Sequence, residues 1–522
     1  MPNEVSQQLS YADLQDAFTS SEIENVSLKR QLAWFKKQLF GTKSERRLVE
    51  VSPDQLLLNG LLGDVGKSEP VDTETITYKR GKAKKKRGSD CVTDSGLRFD
   101  DTVPVEVIEV AVPVLNGPDA EQYEVIGTNS LYRLAQRPAS HVVLRYDMTV
   151  VKHKDSNDII NTPAPAGVFD QSLADVSFLV GMLVDKFMYH LPLYRQHQRL
   201  QQAGITLSRA TLTNLTRRSI ELLRPIAESQ LRNILQSKIL AMDETPVKAG
   251  RAGKGKMKTG WFWPVYGDQD EIVFTYASTR AKIHIEQVLA EHFSGTLISD
   301  GYIAYARYTE AREDVVHAQC WVHSRRHFIE AEDAEPGLVT VALQYIRELY
   351  GNETHIQKKQ LTGDKKQTYR LDHSKPVVDA FFAWCEEQLT DRSLLPDNPL
   401  IKAIGYVRSR QAELRVFLED PDVPLDTNHL ERALRPIPMG RHNWKFCWTE
   451  LGAEHVGIIQ SLICTCKIQG VDPYDYLVDV LQRISSHPAN DVISLTPRVW
   501  KEKFAHAPMR SDLHQKVNNC LE

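Results

Sequence analysis

The sequence predicts a mixed α/β chain with helical and β-rich attachments, and three observations carry that prediction. Between residues 238 and 323, short apolar runs alternate with turns and helical stretches, the pattern of an α/β layer structure. Valine-rich alternation fills residues 103–153, as strands do. Helical periodicity opens the chain and returns over 172–235, 335–420 and 426–485. The 522 residues correspond to three to four domains at roughly 150 residues each. An apolar fraction of 42% and a charged fraction of 25% exclude a wholly disordered or fibrous chain.

The first element, over residues 10–42, is a coiled-coil or leucine-zipper-like helix. Leu14, Phe18, Ser21, Asn25, Leu28, Leu32, Phe35 and Leu39 form an a/d heptad seam. Asn25 at an a position suits two-stranded register. An amphipathic helix packing on its own protein fits the same pattern. Residues 43–90 read as a basic flexible linker with SPD and SEP turns. Within it KRGKAKKKR (79–87) is basic at seven of nine positions. Lys84, Lys85, Lys86 and Arg87 are therefore candidates to neutralise phosphates, or simply a solvated charge run.

Residues 91–165 form a β-rich module, with VPVEVIEVAVPV and HVVLRYDMTVVKH as strands and turns at NGPD and QRPAS. NTPAPAG (161–167) closes it. Residues 170–235 are helical. LPLYRQHQRLQQAG ends at Gly204, and Ser208 is a suitable N-cap for RATLTNLTRRSIELL. Helix, glycine turn, helix is a helix-turn-helix pattern, although an ordinary helical hairpin shares it. Five arginines and no acid lie between Leu191 and Ile220. Arg209, Thr211, Asn214, Arg217 and Arg218 would then face phosphates and base edges.

The core spans residues 236–450. KILAMDE (238–244), GTLISDG (295–301) and VVHAQCWVH (315–323) read as buried strands. GWFWPVY and EIVFTYA read as a hairpin across GDQD, and IHIEQVLAEHF as a helix. The order is β-β-β-α-β-α-β, interrupted by a helical insertion at about 335–420, with a helical C-terminal region over 451–522.

The net charge of −4 does not by itself suggest a nucleic-acid partner. Local charge does, because basic residues gather at 79–87, 191–220 and 432–445. Seven cysteines, none between Cys91 and Cys320, argue against a disulfide framework and for a reducing cytosol. No run approaches a membrane span, and the N-terminus has no signal-peptide pattern. A cytoplasmic location, nucleoid-associated when on DNA, with no membrane partner, is the expectation.

Three acids stand out by position. Asp243 and Asp300 each follow an apolar strand. If those strands are adjacent and parallel, both carboxylates emerge at one sheet edge and repel unless a divalent cation shares them. Oxygen ligands suit magnesium or manganese. Glu431 follows in DTNHLERALRP. Asp300 could be a turn residue before Gly301, and Glu431 a capping-box partner of Asn428. Spacing does not choose between Asp243 and Glu244. Cys320 and His323 form C-x-x-H flanked by His317 and His327. That spacing admits zinc, but a packing or DNA-positioning motif is the preferred reading.

MDETPV, SDGYIAY, CWVHSRRHF, DKFMYHLPLYRQ and the long block NHLERALRPIPMGRHNWKFCWTELGAEHVGIIQSLICTCKIQGVDPYDYLVDVL resemble bacterial transposases of the insertion-sequence 66 family. The opening heptads and LFGTKSER resemble that family's leucine zipper. The resemblance covers nearly the whole chain. It implies a ribonuclease-H-like mixed-sheet catalytic core with a DDE triad, carried here by Asp243, Asp300 and Glu431. It thereby selects Asp243 over Glu244.

The implied cofactor is Mg²⁺ or Mn²⁺, two ions clamping a scissile phosphate, and zinc is not expected. The implied activity is cleavage of insertion-element ends and their joining to target DNA. The partners expected are terminal inverted repeats and target DNA, a second copy of the chain or a higher oligomer, and small accessory proteins of the same element. Arg325 and Arg326 are expected to face phosphate. Around Glu431, so are some of Arg432, Arg435, Arg441, Asn443, Trp444 and Lys445. Relatives commonly carry a cysteine-rich zinc module before the proline-rich boundary, whereas residues 92–160 here contain no cysteine. A non-catalytic DNA-binding regulator, or a nuclease that cuts without joining, would fit the same scaffold.

Overall fold

The computed structural model describes residues 97–514, apart from 101–102, 111, 138–139, 171, 290–291 and 391–393, together with Gln15, Ser21 and Lys29. Those three isolated residues are helical. The rest of the heptad seam, including Asn25, and the basic run Lys84–Arg87 lie outside the described residues.

The β-rich segment contains β1 (Arg98–Phe99), β2 (Val105–Val110), β3 (Tyr123–Arg137), β4 (Ser140–His153) and β5 (Ile159–Asn161). β4 pairs parallel to β2, antiparallel to β3 and antiparallel to β5. The valine run is shorter as a strand than expected. Its PVLN end is a 3-10 turn beginning at Pro113, which has no N–H for a ladder.

Three helices follow: α1 (Val176–Phe187), α2 (Leu193–Gln202) and α3 (Arg209–Ile234), with β6 (Ile205–Thr206) between the last two. Asp175 caps α1 through Ser177 N at 2.8 Å. Gly204 turns the chain at φ +77°, and β6 pairs back onto β1. Ser208 Oγ accepts from Thr211 N at 3.0 Å, capping α3. The helix–turn–helix order is present, but α3 has 26 residues, longer than a reading helix needs. Its C-terminal half belongs to the core, where Gln230 Nε2 donates to Ile272 O at 2.8 Å.

The central sheet consists of β7 (Ile239–Met242), β8 (Thr245–Gly253), β9 (Lys256–Gly267), β10 (Glu271–Ala277), β11 (Gly295–Ser299) and β12 (Val315–Gln319). Its order is β10-β9-β7-β11-β12, with β8 paired to β9. β7, β11 and β12 are parallel, while β9 runs antiparallel to β7, β8 and β10. β8 is an addition to the expected order.

β7 and β8 run along the same edge of β9 in one register. Met242 stands opposite Val265 and Thr245 opposite Phe262. Asp243 and Glu244 are the interruption between them. The 315–323 run also ends sooner than expected: Cys320 is the N-cap of a helix, because the pattern shifts to helical spacing at Trp321.

α4 (Ile283–Leu289), α5 (Ile303–Thr309) and α6 (Trp321–Glu330) connect and follow these strands. The insertion comprises α7 (Pro336–Lys358), α8 (Gly363–Tyr369), α9 (Lys375–Thr390), α10 (Pro399–Arg408) and the short α11 (Val416–Glu419). Trp321, Phe328, Phe381 and Phe382 are buried where it meets α6. The chain returns through α12 (Asn428–Leu434) and α13 (Pro436–Trp444), then α14 (Glu450–Ile468), α15 (Pro473–Arg483) and α16 (Pro497–Lys503).

α14 covers the edge strand β10. Ser461 Oγ and Thr465 Oγ1 accept from Phe274 N and Ile272 N at 2.9 and 3.1 Å. Edge N–H groups are thereby satisfied from a helix instead of another strand. Gly457 allows the approach, since a Cβ there would meet Phe274 O at 2.4 Å. No helix among the described residues is long and apolar enough to cross a membrane.

Candidate active site

Parallel pairing brings the two aspartates together. β11 pairs with β7 as Thr296↔Ile239, Leu297↔Leu240 and Ile298↔Ala241. Continued by two residues, that register sets Asp300 level with Asp243. Both lie just past the carboxyl ends of adjacent parallel strands, where open α/β sheets present their sites. Asp243, Glu244 and Asp300 each offer an oxygen within 4.8 Å of the others.

Glu431 reaches the same place from α12. It lines one open cleft of about 390 Å³ with Asp243, Glu244, Asp300, Arg280, His323, Arg326 and Arg435. The approach of α12 depends on the end of the insertion. Cys320 Sγ accepts from Thr427 N and Thr427 Oγ1, both at 3.3 Å. Tyr350 OH donates to Asp426 Oδ2 at 2.8 Å, and Trp321 N donates to Leu425 O at 3.2 Å. Asn428 is not paired with Glu431 in a capping box. Its side chain donates to Asp426 Oδ2 at 2.6 Å, and Glu431 N donates to Thr427 O at 3.0 Å.

The four acids are not equivalent. Glu244 is buried and already committed. Arg280 donates to Oε1 through Nε at 2.7 Å and forms a close ion pair there. Tyr305 OH donates to Oε2 at 2.8 Å. Asp300 Oδ1 accepts from Tyr302 N at 2.9 Å, and Asp243 Oδ1 from Glu244 N at 2.7 Å. Glu431 Oε1 is buried without a hydrogen-bond partner. His323 Nε2 and Arg326 Nη2 stand 3.8 and 3.7 Å from it.

Burial, then the charge of Glu244, then those of Asp300 and Glu431, push the Asp243 carboxyl up to about 7. Glu244 is raised as well, chiefly by burial and then by Asp300. Burial lowers His323, which favours its neutral form. An all-carboxylate donor set, an orphaned buried oxygen and an aspartate that resists ionising among its neighbours fit a hard divalent cation. Among the described residues, Asp243, Glu244 and Asp300 are the group of three ligating side chains close enough to share an ion, and Glu431 lines the same cleft outside that group. Cys320 and His323 do not meet His317 and His327 in such a group. Cys320 holds Thr427, His317 Nε2 lies 2.9 Å from Ser299 Oγ, and His327 packs against Tyr406 at 4.1 Å.

The proposed DNA contacts distribute unevenly. Arg326 and Arg435 line the acid cleft, whereas Arg325 is exposed and does not. Arg441 is half-buried and donates to Pro246 O. Lys445 is exposed at the C-cap of α13, at φ +60°. Arg218 and Asn214 line a separate hollow with Ser208 and Thr211, and Arg218 sits 4.1 Å over the Phe169 ring. Arg209 lies 5.8 Å over Tyr194. Arg217 Nη2 donates to Asn214 Oδ1 at 3.1 Å. None of these α3 residues lines the acid cleft. Arg280 and Tyr305 escaped the sequence reading. Tyr305 ends the quoted SDGYIAY motif, but nothing local marks either residue as a partner of Glu244.

Comparison with known proteins gives a consistent picture. The family described as "Transposase IS66 family" matches residues 171–455. "IS66 C-terminal element" matches 461–497, and "Transposase C of IS166 homeodomain" matches 27–108. The uncharacterized protein y4hP of Sinorhizobium fredii is 29% identical over 382 residues, 68% of either chain. The uncharacterized protein y4jD of the same organism is 30% identical over 362 residues, covering 66% of this chain and 70% of its own. A third, y4qI, is 28% identical over 417 residues, covering 76% and 75%.

Proposed function

The chain belongs to the IS66 transposase family, and from that premise we propose that its acid cleft cuts the ends of an insertion element and joins them to target DNA. The observation that carries the proposal is the convergence of Asp243, Asp300 and Glu431 on one cleft with Arg326 and Arg435. In this reading the sheet is the ribonuclease-H-like core of a DDE enzyme. Residues 236–450 form the catalytic domain, split by the insertion. The β-rich 91–165 segment and the helical 170–235 region are attachments that position DNA.

Asp243, Asp300 and Glu431 would hold the divalent ion or ions, Mg²⁺ or Mn²⁺. A bound ion supplies Lewis acidity to the scissile phosphate. Glu244 is a positioning residue: pinned by Arg280 and Tyr305, it fixes the backbone that carries Asp243 and adds negative charge beside it. His323 and Arg326 stand at the orphaned oxygen of Glu431 and hold that carboxylate toward the cleft. Arg326 and Arg435 face the phosphodiester and offset its charge. On this reading the helix–turn–helix region and the basic linker bind terminal inverted repeats, and a second copy of the chain completes the assembly.

The test is Mg²⁺-dependent cleavage and strand transfer on duplexes carrying the terminal repeats that bracket the gene. Asp243→Asn, Asp300→Asn and Glu431→Gln should each abolish both steps while DNA binding persists. Undiminished cleavage by any of the three would overturn the assignment. Cleavage without strand transfer of precut ends would reduce the function to that of a nuclease.

A further inference from the structure

A second cavity lies at the other end of α13. It measures about 260 Å³ and is walled by Phe187, Trp444, Phe446 and Trp448, with Lys186 and Arg217 beside them. Trp448 is 62% exposed, so much of its indole faces solvent beside the cavity. Phe446 packs edge-on to it at 4.9 Å, and Arg251 of β8 stands 5.0 Å over its ring. The Trp444 indole lies on Gly440, where a Cβ would come within 2.4 Å of Nε1.

The charge around this cavity is one-sided. Lys186, Arg217 and Arg251 make no ion pair with an acid among the described residues. Lys186 Nζ lies 4.8 Å over the Phe187 ring, where burial lowers its pKa and weakens its charge, and Arg217 bonds the neutral Asn214. The nearby acids are engaged elsewhere. Glu450 pairs with Lys258 at 3.0 Å, while Glu221 pairs with both Arg224, at 2.9 Å, and His455. Aromatic walls with the unneutralised Arg217 and Arg251 at the rim are the chemistry that takes a flat base and its phosphates. The volume is below the roughly 300–1,000 Å³ of most small-molecule sites and suits a single ring system.

Its place relative to the acid cleft is set by one helix. Pro438 lines the acid cleft and Trp444 lines this cavity. Six residues of helix separate them, roughly 9 Å along the axis. That is two to three nucleotides of one strand at about 3.4 Å per step. We propose that this cavity receives one unstacked base of the DNA, two to three nucleotides from the phosphate at the acid cleft. The inference rests on the reading of that cleft as a DNA-acting site.

The test uses the full-length protein in Ca²⁺ with terminal-repeat duplexes carrying 2-aminopurine singly at each of the first five positions from the cut. Fluorescence anisotropy reports binding, and 2-aminopurine emission reports unstacking. Emission should rise at one position. Trp448→Ala should abolish the rise and weaken binding roughly tenfold, whereas Trp448→Phe should restore both. Because Trp448 is exposed, its loss leaves the fold intact. Binding with no rise at any position, or a rise undiminished in Trp448→Ala, would overturn base capture and leave the DNA-acting reading standing. Absence of binding to every duplex would overturn that reading as well.

Discussion

His323 Nε2 lies 3.8 Å from Glu431 Oε1, joining the C-x-x-H motif of α6 to the acid that arrives after the helical insertion. The imidazole is held largely neutral by burial, so it orients the carboxylate more than it neutralises it. Residues supporting a ligand in this way typically contribute 10–100-fold. His323→Ala is expected to lower cleavage by about that factor, and His323→Gln, which keeps an N–H donor, by less. A purely packing role would leave the two variants equal in activity once matched for stability.

Glu244 and Asp243 are adjacent, yet their substitutions should move stability in opposite directions. Glu244→Gln leaves Arg280 without its anion and should cost about 1–3 kcal/mol. Asp243→Asn relieves repulsion among the acids and should leave metal-free stability equal or higher. The wild type should gain melting temperature on Mg²⁺ or Mn²⁺ addition and Asp243→Asn should not, because a ligand that binds the native state alone stabilises it. Thermal unfolding with and without the ion measures both effects.

Cys320 accepts two hydrogen bonds from Thr427 and so anchors the start of the Glu431 helix. Cys320→Ala should destabilise the protein by about 1–2 kcal/mol and lower activity through misplacement of Glu431. Cys320→Ser should recover part of both. A zinc-selective chelator should leave the unfolding curve of the wild type unchanged.

Gly295 opens β11 at φ +141°, and a Cβ there would meet Lys238 O at 2.2 Å. Gly295→Ala must move the backbone that carries Asp300 at its other end. The expected result is a loss of about 1–3 kcal/mol in denaturant unfolding, with weakened metal-induced stabilisation.

His141 lies in β4 beside Phe178, and burial followed by the nearby Arg199 lowers its pKa to about 4. Between about 4 and the ordinary value of 6.5 the unfolded chain binds this proton and the folded chain does not. Stability therefore falls as pH drops through that window. Denaturation midpoints at pH 7 and pH 5 should show the fall, and His141→Gln should flatten it.

Local patterns in the sequence were enough for the mixed α/β class, the Asp243 and Asp300 strands, the β9–β10 hairpin and the Ser208 cap. Strand alternation and capping depend on neighbours within a few residues, so they can be read without a fold. The 57-residue separation of the two aspartates is also the β7–β11 register offset, as Ile298↔Ala241 shows. That coincidence acquires meaning only when the strands are known to be parallel neighbours. β8 escaped because TPVKAGRAG is too small and charged to look like a buried strand, and pairing with β9 is what orders it. Spacing left Glu431 apart from the aspartates and the resemblance joined them, while the fold gives all three one cleft. The tertiary structure alone decided that Arg280 and Tyr305 occupy Glu244, that Arg441 bonds Pro246 O, and that four aromatics line a cavity beyond the acid cleft. Each depends on how the insertion and the C-terminal helices pack against the sheet, and contacts between segments a hundred residues apart leave no mark in local spacing.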